Sequence, residues 1–201
     1  MDNKAIRLAI MSLMWGQRLD SDDGVRAWLD DAVAAGYDGV ALFDSQLLRA
    51  SATMDFADEL RTRGLSLASV DYIIDEDRDR LRQVCSIMRS LGSRHLVTLG
   101  GLATRDADMD RVASILNGIG ETALEYQVRA CYHNHSGCTA ATLEETEALV
   151  NKTDPAKFFG FLDVGHATAD FTGQQDARKG QFVRQPGRGP VIRQRPSQRH
   201  S

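Results

Sequence analysis

Six short apolar runs alternate with amphipathic segments along the first 173 residues, and this alternation limits the possible folds more than any other feature of the chain. The runs are IRLAI from Ile6, DGVALF from Asp38, LSLASV from Leu65, HLVTL from His95, VRACYH from Val128 and FFGFLD from Phe158. They recur at roughly the 30-residue length of a βαβ unit. Such alternation predicts a parallel sheet covered by helices, either an open doubly wound sheet or a barrel.

The segments between the runs have the pattern of amphipathic helices. In the first segment, apolar residues recur at helical spacing from Val25 to Val33, Ser21 or Asp22 can cap the start, and Gly36 can end the helix. A second helix is predicted from an apolar stripe over 81–91, and a third begins at the capping box TLEE (142–145) and stops before residue 155. Two further helices, near 53–63 and 107–125, have a less regular apolar pattern.

The composition changes at Gln174. Residues 174–201 contain three of the four prolines, seven Lys or Arg residues and a single acid, Asp176. They lack helical or strand periodicity and have too few apolar residues to offset the entropy of ordering. We therefore predict one domain over residues 1–173 and a basic, disordered tail over residues 174–201.

Composition and charge narrow the class of protein. The 201-residue chain is 42% hydrophobic and 26% charged, as expected of a globular domain with a sizeable core. There is no signal-peptide core at the start and no uncharged stretch that could span a bilayer, so we expect a cytoplasmic protein without membrane contact. Three cysteines without a CxxC pair agree with a reducing compartment. The net charge of -4, and a basic tail with one aromatic residue, favour no nucleic-acid partner.

In either architecture, functional groups gather at the carboxyl ends of the strands. The residues after the first four runs are weak candidates: Met14 and Trp15, Asp44, Asp71 and Tyr72, and Gly100 with Gly101. The fifth and sixth runs lead into stronger ones, YHNHSG (132–137) and LDVGHATAD (162–170).

The last two segments predict a ligand site. His133 and His135 would share one face of the fifth strand if the strand extends that far. Asp163 leaves the sixth strand, Gly165 allows a tight turn, and His166 follows. Imidazoles and a carboxylate that meet at one point suit a borderline divalent metal.

Two other interpretations stay open at this point. His133 could be a buried histidine that is bonded to a neighbouring strand. Alternatively, Cys131, His133, His135 and Cys138 could form a local zinc site, although their spacing matches no usual structural zinc pattern.

The order of the segments LAIMSLMW, AGYDGVALF, LGSRHLVTLGG, YHNHSG and LDVGHA resembles the xylose-isomerase-like TIM-barrel superfamily over about residues 5–171. That superfamily includes sugar-phosphate isomerases and epimerases, inosose dehydratases and endonuclease-IV-type enzymes. The sugar isomerase and epimerase branch and the inosose dehydratase branch look closest, because YHNH is a common form of their fifth-strand motif. The resemblance implies an α/β fold of the (β/α) TIM-barrel type, incomplete, with about six βα units.

The resemblance also implies roles for individual residues. Asp163 would be a metal ligand and His133 a ligand or its near neighbour, in a site for a divalent Mn, Co, Zn or Mg ion. His166 would face the substrate or a second metal. The residues implied in substrate binding are Trp15, as an apolar wall against a sugar ring, Asn134, His135 and His166. The residues implied in catalysis are His133, His135 and His166.

The activity implied by the resemblance is metal-dependent isomerisation or epimerisation of a sugar, sugar phosphate or related polyol, through removal of the proton alpha to a carbonyl. Loss of a beta hydroxyl would instead make the chain an inosose-dehydratase-like lyase. The partner would be a small molecule, and a homo-oligomer is left open.

The chain departs from the family pattern in two places. Ala41 stands where members often have Glu after the second strand, and the ligands that members take from the seventh and eighth strands have no counterpart. We hypothesise that a frameshift or truncation replaced the last two βα units. The alternative function is then an inactive partial barrel that only binds a ligand or a partner.

Overall fold

The computed structural model describes residues 7–171, 181–184 and 190–193. The elements in chain order are β1 (Ala9–Met11), a 3-10 helix (Ser12–Asp20), α1 (Asp22–Ala34), β2 (Gly39–Phe43), α2 (Asp44–Thr53), α3 (Phe56–Thr62), β3 (Ser66–Ile73), α4 (Arg78–Ser90), β4 (His95–Leu99), α5 (Met109–Glu125), β5 (Arg129–His133), α6 (Leu143–Lys152), β6 (Phe158–Phe161), α7 (Val164–Asp170), β7 (Gln181–Arg184) and β8 (Pro190–Arg193). Strands β1 to β6 form one sheet whose order follows the chain. The pairs β1–β2, β2–β3 and β5–β6 are parallel, and the α/β prediction is confirmed.

The chain divides into two compact units. The first comprises residues 1–73, 77–97 and 122–129, and it contains β1 to β3 with helices α1 to α4. The second comprises residues 74–76, 98–121 and 130–201, and it contains β5 from residue 130 onward, β6, α6 and α7. Among the described residues, no helix combines the length and the apolar character that crossing a membrane requires.

Helix α1 shows how the apolar pattern builds the first unit. Ser21 caps the helix by accepting the backbone N–H of Gly24 (3.1 Å), and Gly36 follows its end with a φ of 81°. The predicted stripe is buried except for Val33, which is 44% exposed. The residues that pack in this unit include Val25, Trp28, Leu29 and Ala32 of α1, Val40 and Leu42 of β2, and Leu67 and Val70 of β3.

Two features of the first unit differ from the sequence prediction. Helix α2 begins at Asp44, directly after β2, where no helix was expected. Asp44 is buried, accepts the backbone N–H of Ser45 (2.8 Å) and pairs with Arg80. Strand β3 extends to Ile73, so Asp71 lies inside the strand instead of following it.

The second unit holds β5 beside β6 and packs the helices that follow them. The predicted capping box is confirmed: Thr142 accepts the N–H of Glu145 (3.3 Å), and the Glu145 carboxylate accepts the N–H of Thr142 (3.1 Å). Leu143 of α6 packs in one buried cluster with Ala167 and Phe171. This cluster fixes the position of α7, which begins at the DVGH segment.

Strands β7 and β8 occur where the sequence predicts a disordered tail. They pair antiparallel, with Phe182 opposite Ile192 and Val183 opposite Val191. These are the few apolar residues of the tail, and β-branched and aromatic residues favour strands. The other residues from 172 onward lie outside the described residues. The boundary at residue 173 and the frameshift hypothesis therefore stay predictions.

Asp71 generates a prediction about stability. Burial raises the pKa of the Asp71 carboxyl from 3.8 to about 6, so the folded protein keeps a proton that the unfolded chain releases between these pH values. Stability should therefore fall as the pH rises from about 4 to 6. We expect Asp71→Asn to increase the free energy of unfolding by roughly 1 to 3 kcal/mol at pH 7.5 but not at pH 3.5, measured by urea denaturation.

Asp106→Asn, at an exposed position, is the matched control and should change stability little at either pH. An equal effect of Asp71→Asn at both pH values would contradict the assignment.

Candidate metal centre

Parallel pairing brings the ends of β5 and β6 to one edge. His133 is opposite Phe161, the last residue of β6, so the two segments leave the sheet at the same level. Asn134 then joins them: its Oδ1 accepts the backbone N–H of Asp163 (2.8 Å), and its Nδ2 donates to the carbonyl oxygen of Asp163 (3.1 Å). The Asn134 side chain is buried. The contact holds Asp163 beside His133.

The Asp163 carboxylate has two different surroundings. Oδ1 accepts the backbone N–H of His166 (2.9 Å) and caps the start of α7. Oδ2 lies 3.5 Å from Nε2 of His133. One oxygen thus caps a helix, while the other faces an imidazole.

Three side chains converge at this edge. His133, Asp163 and His166 each offer a potential ligand atom, and these atoms lie within 4.8 Å of one another. His133 is buried, and neither of its ring nitrogens has a hydrogen-bond partner among the described residues. This argues against the interpretation of His133 as a histidine bonded to a neighbouring strand. Buried polar groups are normally paired, so this imidazole requires an explanation.

Electrostatics favour a neutral imidazole beside a charged carboxylate. Burial lowers the pKa of His133, and the neighbouring rings of His135 and His166 lower it further, whereas Asp163 raises it. Partial burial raises the pKa of Asp163, but the backbone N–H of His166 and the charges of His133 and His166 outweigh it, so the pKa is lowered overall. Both groups are in the form that binds a metal ion.

His135 reaches the same edge by a different route from the one predicted. Strand β5 ends at His133, so His135 lies in the following loop and not on the strand face. Its ring centroid is nevertheless 4.0 Å from that of His166 and 5.6 Å from that of His133. Its Nδ1 lies 2.8 Å from the carbonyl oxygen of Ser136. A carbonyl oxygen only accepts, so Nδ1 donates and Nε2 carries the lone pair.

The loop after β5 is held by several side chains, which keeps the histidines in place. Thr139 donates from its hydroxyl to the carbonyl oxygen of Thr104 (2.6 Å), and its backbone N–H donates to Ala103 (3.0 Å). The Tyr132 hydroxyl donates to the carbonyl oxygen of Thr139. A loop with so many contacts is a rigid support for a site.

Other predicted residues have different surroundings. Both polar atoms of Asn134 are bonded to the backbone of Asp163, and its role in substrate binding stays a prediction. Trp15 belongs to the first unit, where its indole N–H donates to Asp31 (3.0 Å), and its role as a sugar wall stays a prediction. Among the described residues, neither Cys131 nor Cys138 belongs to a group of three or more potential metal donors, which argues against the local zinc site.

Three residues near the cluster were missed by the sequence analysis. Phe161 is 44% exposed, and its ring centroid lies 5.8 Å from that of His133. The Ser136 hydroxyl lies 2.9 Å from Nδ1 of His166 and donates to the carboxylate of Asp170. A sequence signal for Asp170 exists, because it follows His166 by four residues and so falls on the same face of a helix. Ser136 carries no comparable signal.

Histidines and a carboxylate follow two neighbouring strands of this α/β sheet. The fold and the position of these groups define the class: α/β proteins whose functional groups lie at the carboxyl edge of a parallel sheet. A model of the xylose isomerase-like TIM barrel family matches residues 29–192, and the chain belongs to this family. The match extends beyond residue 173. An inosose dehydratase of Lactiplantibacillus plantarum is 26% identical to the chain, over 81% of this chain and 62% of that enzyme. The chain therefore spans less than two thirds of the length of that relative.

Solved structures share the fold. The probable 3-DHS dehydratase AsbF from Bacillus anthracis superposes with a TM-score of 0.68 at 14% identity, over 82% of this chain and 65% of that chain. D-allulose 3-epimerase from Methylomonas sp., in complex with D-allulose, gives 0.68 at 16% identity, over 87% and 68%. The IOLI protein with a zinc atom gives 0.67 at 16% identity, over 88% and 69%. At these identities the likeness shows the fold alone.

The double hydrogen bond of Asn134 generates a prediction. Asn134→Ala removes two bonds and leaves an N–H and a carbonyl of Asp163 unpaired, so we expect a loss of about 2 to 3 kcal/mol in the free energy of unfolding. Asn117→Ala is the matched control, because Asn117 accepts one backbone N–H, that of Asp154 (2.7 Å). It should cost about 1 kcal/mol in the same urea titration. Equal losses for the two variants would contradict the stabilising role of the two hydrogen bonds between Asn134 and the backbone of Asp163.

Proposed function

We propose that the chain binds a divalent cation through His133, Asp163 and His166. The observation that carries this proposal is the buried His133 imidazole, which has no hydrogen-bond partner in the part of the chain that the structure describes and lies 3.5 Å from a carboxylate oxygen. An unpaired buried polar group costs about 1 to 3 kcal/mol, and a bound cation would remove that cost. A neutral imidazole beside an ionised carboxylate is the donor pair that a cation requires.

The donor set fits a transition metal. Two imidazole nitrogens and one carboxylate oxygen suit Zn, Co or Mn better than Mg, which prefers oxygen ligands. The separation of 3.5 Å between His133 Nε2 and Asp163 Oδ2 is close to the ~3.3 Å between ligands of a tetrahedral ion with bonds of ~2.0 Å. Three protein ligands leave a position open for substrate, as in catalytic sites. The zinc atom in the IOLI structure, a protein of the same fold, supports this choice.

We further propose that the site acts on a sugar or a related polyol by isomerisation, epimerisation or dehydration. A metal bound here would supply Lewis-acid polarisation of a substrate carbonyl oxygen. Nε2 of His135 carries a lone pair next to the cluster and can accept a proton from the substrate. The exposed ring of Phe161 offers an apolar surface to the C–H face of a sugar. The inosose dehydratase relative and the D-allulose 3-epimerase of the same fold support this substrate class.

A second candidate function is ligand binding without turnover. Asp163 is the single carboxylate in the donor group, and Asp170 accepts from Ser136. Proton transfer on two faces of a sugar usually needs two acid-base groups, and in the described part of the second unit His135 is the clearest one. The activity experiment below separates the two candidates.

Metal binding gives the first test of the proposal. We expect one Zn²⁺ or Mn²⁺ per chain by isothermal titration calorimetry, and at least about 100-fold weaker binding by Asp163→Asn. Asparagine caps helices as well as aspartate, so α7 should be retained in this variant. His95→Gln, at an exposed residue of the first unit, is the control and should bind like the wild type. Binding to Asp163→Asn with wild-type affinity would refute the site.

Turnover gives the second test. With the preferred metal bound, we expect activity on at least one member of a panel of inososes and keto-sugars. The products are to be detected by chromatography. His135→Asn should lower kcat by roughly 100- to 10,000-fold with metal affinity nearly unchanged, because it removes an acid-base group and no ligand. Tight metal binding without turnover of any member of the panel would favour the second candidate.

A further inference from the structure

The ring of His166 is joined to a carboxylate through a hydroxyl group. Ser136 Oγ lies 2.9 Å from Nδ1 of His166, and the same hydroxyl donates to Oδ2 of Asp170. Ser136 comes from the loop after β5, whereas His166 and Asp170 lie one turn apart on α7. All three side chains are partly buried. The hydrogen-bonded chain of side chains, from Asp170 through Ser136 to His166, therefore connects two segments of the same unit.

The place of Asp170 on α7 is unfavourable by itself. Asp170 is the last residue of the helix, where the helix dipole disfavours negative charge. The contact with Ser136 gives this carboxylate a hydrogen-bond donor. The Arg105 guanidinium also attracts the Asp170 carboxylate, so Ser136 and Arg105 together compensate this charge at the end of the helix.

The proton positions follow from donor and acceptor chemistry. Ser136 has one hydroxyl hydrogen, and a carboxylate is the stronger acceptor, so this hydrogen points to Asp170. Oγ then accepts from Nδ1–H of His166. The backbone N–H of Ser136 also points at Nδ1 as a donor, at 3.4 Å, and this contact would need a lone pair on Nδ1. It is the longer of the two contacts, and we infer that the bond to Oγ at 2.9 Å decides the tautomer. The Nδ1–H tautomer leaves the lone pair of His166 on Nε2.

Ser136 also sets the tautomer of the neighbouring ring. Its carbonyl oxygen accepts Nδ1–H of His135 (2.8 Å), and the rings of His135 and His166 are 4.0 Å apart. One residue of the loop thus contacts both imidazoles, through its carbonyl and through its hydroxyl. The two rings are oriented together.

We infer that Ser136 and Asp170 are positioning residues that hold His166 in the Nδ1–H tautomer, which leaves the lone pair of Nε2 available to a cation. The consequence for metal affinity rests on the proposed function, whereas the tautomer does not. Partners of this kind fix ring orientation and raise ligand basicity, and their loss typically costs 10- to 100-fold in metal affinity. Neither residue touches the metal in this proposal.

The tautomer is tested on the metal-free, full-length protein. Two-dimensional ¹H–¹⁵N spectra of the imidazoles at pH 8 distinguish a protonated from an unprotonated ring nitrogen, and His166→Gln assigns the signals. We expect Nδ1–H in the wild type, and a shift toward Nε2–H in Ser136→Ala and Asp170→Asn. Ser136→Thr keeps the hydroxyl and should restore the wild-type tautomer. An Nε2–H tautomer in the wild type, or an unchanged spectrum in Ser136→Ala, would overturn the inference.

Zn²⁺ affinity is the second readout. Ser136→Ala and Asp170→Asn should each bind Zn²⁺ about 10- to 100-fold more weakly, and the double variant no more weakly than the weaker single one, because both act through one chain. Ser114→Ala and Glu144→Gln are matched controls at exposed positions of α5 and α6 and should bind like the wild type. Wild-type Zn²⁺ affinity in Ser136→Ala would overturn the positioning role.

The two proposals can fail separately. If the wild type binds no Zn²⁺ but shows the Nδ1–H tautomer with the expected response to Ser136→Ala, the metal proposal fails and the hydrogen-bonded chain stands. If the wild type binds Zn²⁺ through Asp163 but His166 has the other tautomer, the metal proposal stands and this inference fails.

Discussion

The hydrogen bonds between the Asn134 amide and the backbone of Asp163 are the contact on which the candidate metal centre depends. Parallel pairing places the ends of β5 and β6 at the same level, but it does not fix the direction of the loops that leave them. A side-chain amide that donates and accepts at one peptide unit does fix it. His133 precedes this amide and Asp163 carries the bonded peptide, so the imidazole and the carboxylate are held together by local geometry. The rigidity of a site arises here from a residue that needs no contact with a ligand.

The loop after β5 applies the same principle to the other two histidines. Ser136 contacts His135 and His166 through different atoms, and Thr139 ties the end of the loop to Ala103 and Thr104. His133 is the exception, because it is buried and its nitrogens have no hydrogen-bond partner within residues 7–171, 181–184 and 190–193. Two imidazoles thus have one nitrogen bonded to the protein, whereas neither nitrogen of the third is bonded to a described residue. A shared cation would give the last ring the partner that it lacks.

The sequence predicts the layout of the fold and the location of the site, but not the roles of individual side chains. Alternating apolar runs and the capping box at Thr142 predict strands and helices because these signals are local. The strand-end rule brings His133, Asp163 and His166 together for a topological reason, since parallel strands end at one edge. The rule cannot tell whether Asn134 points to a ligand or to the backbone, because an amide serves either purpose. Side-chain alternation would have placed His135 on the face of His133 if the strand continued, but the strand ends two residues earlier. Ser136 was missed because its contacts come from a helix about 30 residues later in the chain.

The two oxygens of Asp163 have separate tasks, and this division narrows what selection can accept at the position. Oδ1 begins α7 and Oδ2 faces His133. A glutamate would keep the charge, but its extra methylene group would move the carboxylate away from the N–H groups of the first helical turn. An asparagine would keep the cap and lose the charge. Aspartate alone satisfies both requirements. Residue 163 is therefore constrained by folding and by chemistry at once, and a substitution that meets only one of the two requirements should be selected against.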